Sequence, residues 1–127
     1  MPDDESAPAV DRDALRPIYD GFLAANQPFK AACFEWQDLD EVGRWDKAAE
    51  LTGLVDTVEP SLRRTAELLP HFSGYLERLM AARAKVEAGQ HDYAVGVRVD
   101  SLHMVWMEIH QDYLSTLGIS REAEGSY

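Results

Sequence analysis

Apolar residues return at intervals of three and four along most of this chain, and each such run predicts a helix with one buried stripe. Ile18, Phe22, Ala25, Phe29, Cys33 and Trp36 form the first seam, over about Asp13 to Gln37. Pro17 suits an early turn. Pro28 lacks the backbone donor that a helix interior uses, so it predicts a kink, or a division of the helix with Asn26 as a new cap. QDLDEVG breaks the pattern as a polar connection, and Ala48, Leu51, Val55, Val58, Leu62, Thr65 and Leu69 then make a second seam with Pro60 inside it. A third begins near Pro70 with Phe72, Leu76, Leu79 and Val86, and Gly89 is placed to end it.

The last seam is the most regular: Val95, Val99, Leu102, Trp106, Ile109, Tyr113 and Leu117, closed by Gly118. Val95, Val97 and Val99 also alternate as a strand would, with Asp100 or Ser101 capping a shorter helix. Because the seam keeps its phase across Asp100, helix is expected throughout Asp92 to Leu117. Four seams with short polar connections predict an all-α fold, an antiparallel bundle of about four helices kinked near Pro28, Pro60 and Pro70. Residues 12–118 are read as one domain, and the polar ends, 1–11 and 119–127, as mobile tails.

Charge narrows the function classes. The 127 residues carry a formal net charge of −11. Residues 1–59 contribute −9, residues 60–99 contribute +2, and the remainder −4. Most of this surface repels phosphate backbones, so nucleic acid is not an expected partner. Arg63, Arg64, Arg78, Arg83 and Lys85 in the positive segment either neutralise acids on neighbouring helices or form a docking strip for an anion; the first is expected. Cys33 is the one cysteine, which excludes an intrachain disulfide and suits a reducing cytoplasm. MPDDESAPAVD has neither the basic region nor the apolar run of a secretory signal, and no stretch approaches the ~20 apolar residues of a membrane span.

DSLHMVWMEIHQDY, residues 100–113, is where candidate chemistry concentrates. On a helical wheel His103 and His110 ride one flank of the seam, with Met107 just beyond and Trp106 and Tyr113 marking the core. Seven residues is about 10.5 Å along a helix, too far for two imidazoles to chelate one ion. Each could still give one ligand to a site completed from other helices by Cys33, Glu67 or His71. No Glu-x-x-His pair of the diiron kind occurs, Asp38 to Ala49 lacks the oxygen ligands of a calcium loop, and Met107 reads as a core filler rather than a copper or haem ligand. No metal or cofactor is therefore expected. Asp100, Ser101 and His103 diverge on one helix and cannot form a relay, and no phosphate loop, dinucleotide fingerprint or nucleophile elbow is present.

Two functions follow as expectations. One is a small cytosolic accessory or regulatory module that binds a protein partner or a second copy of itself. The other is a bundle binding a small molecule, with or without catalysing a reaction on it, in an interior pocket lined by His103, His110, His71 and Met107 and closed by Trp106 and Tyr113.

Overall fold

A computed structural model describes residues 11–120. Apart from Asp11, Ile119 and Ser120, the two expected tails lie outside the described residues. Five helices occur among those described: α1 (Arg12–Trp36), α2 (Glu41–Leu68), α3 (Phe72–Glu87), α4 (Asp92–Val95) and α5 (Leu102–Leu117). There is no strand among the described residues.

Each long helix starts or stops where local chemistry says it should. Asp11 caps α1 by accepting from the Ala14 N–H, and Asp40 caps α2 by accepting from the Gly43 N–H at 2.8 Å. Gly89 follows α3 with φ of +92°, and a side chain there would press on the Trp45 ring. Gly118 ends α5 in the left-handed region at φ +72°, which leaves its N–H to close on the Leu114 and Ser115 carbonyls.

The prolines act less uniformly than the sequence suggests. α1 continues through Pro28 and α2 through Pro60, with buried residues on both sides of each. Asn26 does not cap a second helix: it is buried, and its Oδ1 accepts from the Trp106 Nε1–H at 2.9 Å. Pro70, in contrast, separates two helices. It keeps the preceding Leu69 out of helical backbone, at φ −130° and ψ +88°, so α2 stops at Leu68.

The expected single helix over Asp92 to Leu117 is not formed. It is interrupted after Val95 and resumes at Leu102, with no strand between. Ser101 is the reason. Its hydroxyl donates to the Gly96 carbonyl at 2.7 Å and accepts from the Met104 N–H at 3.3 Å, so it closes the loop and caps α5 together. Seam phase survived across Asp100 because both pieces bury apolar residues against the same core, not because the backbone is continuous.

Neighbouring helices run antiparallel. Lys47 of α2 pairs with Glu35 at the end of α1, while Gly21 near the start of α1 lies against Ser61. Arg83 of α3 grips Asp56 of α2 through two hydrogen bonds, and Arg78 of α3 holds both Asp100 and Glu108. Arg63 pairs with Glu59. These contacts show the positive middle segment neutralising acids of its own chain.

The core lies where α1, α2, α3 and α5 face one another. Every residue of the second seam is buried, as are Phe72, Leu76, Leu79 and Val86. In α1 the register shifts at its start, where Leu15 and Tyr19 are buried and Ile18 is only partly so. Phe29 stacks on Trp106 with ring centroids 3.8 Å apart and planes 2° from parallel. Replacing Asn26 with Leu keeps the volume but strands the indole N–H in an apolar core, which costs about 1–3 kcal/mol. Urea unfolding of Asn26→Leu should show that loss, and a variant as stable as the parent would discount the bond.

Candidate functional site

The six residues singled out by sequence do not meet at one place. Trp106, His110 and Tyr113 are fully buried in packed core. His110 Nε2 and the Tyr19 hydroxyl meet at 3.2 Å, and Tyr113 and Thr65 share a hydroxyl contact of 2.7 Å. Burial pushes the Tyr113 phenol up to about 12, so it stays protonated. These side chains close the core and line none of the surface depressions described below.

His71 stands on another face, at the start of α3. Its Nε2–H donates to Asp112 at 2.8 Å, and the Tyr75 hydroxyl donates to the same carboxylate oxygen at 2.7 Å. Burial first, and the hydrogen bond to Asp112 second, push the Tyr75 phenol up to about 12. The trio joins α3 to α5, and the Thr116 hydroxyl donates to the other Asp112 oxygen at 3.1 Å.

His103 and Met107 do share a depression, a groove of about 550 Å³ between α1 and α5. Cys33, Lys30 and Gln27 line its α1 side, and Val95 and Val97 line it from the α4–α5 connection. The groove has a local cause. Between Val95 and Ser101 the chain leaves helical geometry, and so no helix covers the outer flank of the last turns of α1. Phe34 on one lip is 79% exposed and Val97 on the other is 74% exposed.

The electrostatics of this groove differ from those of the rest of the molecule. In a chain with 23 acids, no Asp or Glu lines it. Burial lowers the His103 imidazole below its ordinary 6.5, and burial pushes the Cys33 thiol up to about 12. A buried thiol that holds its proton is a poor nucleophile. Among the described residues no three His, Cys, Asp or Glu side chains converge as a metal site.

Sequence reasoning had no means to see Phe34, Lys30, Gln27 and Val97 arranged around one groove. It passed over His91 altogether. That ring packs edge-on against Trp36 and Trp45, with its Nε2 buried and lacking a hydrogen-bond partner.

Comparison of the chain with protein-family profiles, with curated proteins and with solved structures finds no match in any of the three. No helix among the described residues is long and apolar enough to cross a membrane.

Two outcomes follow from the groove's titratable groups. Because the folded chain holds His103 below 6.5, the unfolded chain takes up that proton first as the pH falls. The stability tied to neutral His103 is complete above 6.5 and declines from there down to the lower folded value. Unfolding measured across that window should show a shallower pH dependence in His103→Gln, and an unchanged slope would reject the assignment. Cys33 should react with a neutral-pH disulfide reagent far more slowly in native protein than in urea, and equal rates would contradict its burial.

Proposed function

We propose that this chain is a small helical-bundle interaction module, that the α1–α5 groove is its docking face, and that the occupant is a second copy of the chain. The observation that carries the reading is an apolar, acid-free groove with a protruding aromatic on its lip, set in a strongly acidic surface. Two copies at −11 each repel one another over most approaches. The face without carboxylates is where that repulsion is smallest.

Shape supports the same choice. In a two-fold contact the same patch serves both partners, so each copy's Phe34 enters the groove of the other. Phe34 and Val97 are then covered by Val95, Met107 and the stem of Lys30, and two exposed apolar side chains per copy leave water. An interior pocket of histidines, the competing reading, loses its support because His71, His103 and His110 occupy three separate environments. A buried lone thiol also suits a reducing cytoplasm as the working compartment.

Sedimentation of the purified chain over a range of concentrations tests this. Wild type should move from monomer to dimer, while Phe34→Asp and Val97→Asp should stay monomeric with unaltered thermal unfolding, since both side chains are solvent-facing. A wild type that remains monomeric throughout, or a Phe34→Asp variant that still dimerises, would overturn the proposal.

A further inference from the structure

Three soft donor side chains line the same groove. His103 and Met107 are four residues apart on α5, which puts their Cβ atoms about 5–6 Å from each other on one face of the helix. Cys33 lines the groove from α1. Helix register puts the three at one level of the bundle. Tyr19 lies against His110, and Asn26 and Phe29 lie against Trp106. One turn further along α1 is Cys33, and one turn back along the antiparallel α5 is His103.

From sequence, Met107 reads as a core filler, but it is only partly buried and lies on the groove wall. The donors are thus a thiol sulfur, an imidazole nitrogen and a thioether sulfur, and no carboxylate lines the groove. Calcium and magnesium require oxygen ligands, and zinc sites are built without thioethers. Sulfur-rich sets with an imidazole are chosen by monovalent copper. We infer that Cys33, His103 and Met107 form a copper(I) site in the groove.

Loading involves no change of oxidation state. The Cys33 S–H bond breaks, its proton passes to solvent, a thiolate–copper bond forms that outweighs the burial otherwise keeping this thiol protonated, and the metal remains copper(I). The imidazole supplies a lone pair from a ring nitrogen in its neutral form.

An anaerobic titration of the full chain with copper(I) held by a bicinchoninate competitor tests the inference. Wild type should withdraw one equivalent from the competitor, and Cys33→Ser should withdraw none. His103→Gln and Met107→Leu should each weaken retention by roughly tenfold or more. The titration is run at a chain concentration where wild type is monomeric, so loss of dimer and loss of metal are read separately. X-ray absorption of the loaded wild type should show both sulfur and nitrogen neighbours. The inference falls if wild type withdraws no copper, if the spectrum lacks sulfur, or if the double variant His103→Gln/Met107→Leu holds copper as tightly as the parent.

Discussion

The face-to-face stack of Phe29 on Trp106, with the indole N–H satisfied by Asn26, fixes how the two ends of the chain come together. An indole buries a large apolar surface, but only if its one donor finds an acceptor. Asn26 supplies that acceptor from within α1, so α1 and α5 have one register in which both requirements are met. The other aromatic contacts follow from it: Tyr19 against Tyr113 and His110, Phe22 against Trp106, and Phe72 against Tyr113. Thr65 extends the network to α2 through the Tyr113 hydroxyl.

That same register leaves the groove open. Ser101 stops the backbone from being helical between Val95 and Leu102, and Arg78 ties the adjoining Asp100 to α3 and to Glu108. The connection is therefore held from the α3 side, away from the flank of α1. Arg78 holds both carboxylates below their ordinary range. At the exposure of these groups such pairs add little stability, and their effect is to choose one path for the connection.

Much of the fold was legible because burial on a helix repeats. The second seam needed no tertiary information: seven residues spaced by three and four, all buried. Pro60 was harder, since a missing donor weakens one helical bond and says nothing of the packing on either side that offsets it. Residues 95–101 misled for a related reason, since apolar phase reports which way side chains face and not whether the backbone between them is helical. Only the Ser101 hydroxyl, with partners before and after it, decides the matter. The histidines show the limit for sites. A wheel puts His103 and His110 on one flank, yet Tyr19 draws one into the core while the other borders a gap that exists only because α4 is short. No periodicity could place Cys33 or Phe34 in one groove with His103, because that requires the register between helices distant in sequence.

The Asn26–Trp106 bond joins residues 80 positions apart. During synthesis, at roughly 5–20 residues per second, α1 emerges several seconds before α5 exists. Through that interval Tyr19, Phe22 and Phe29 have only part of their eventual cover, from α2, and the rest of their oily face is open to the crowded surroundings of the ribosome. The burden of keeping the nascent chain from sticking therefore falls on the first half of the message, which is also where its acidic residues are most concentrated.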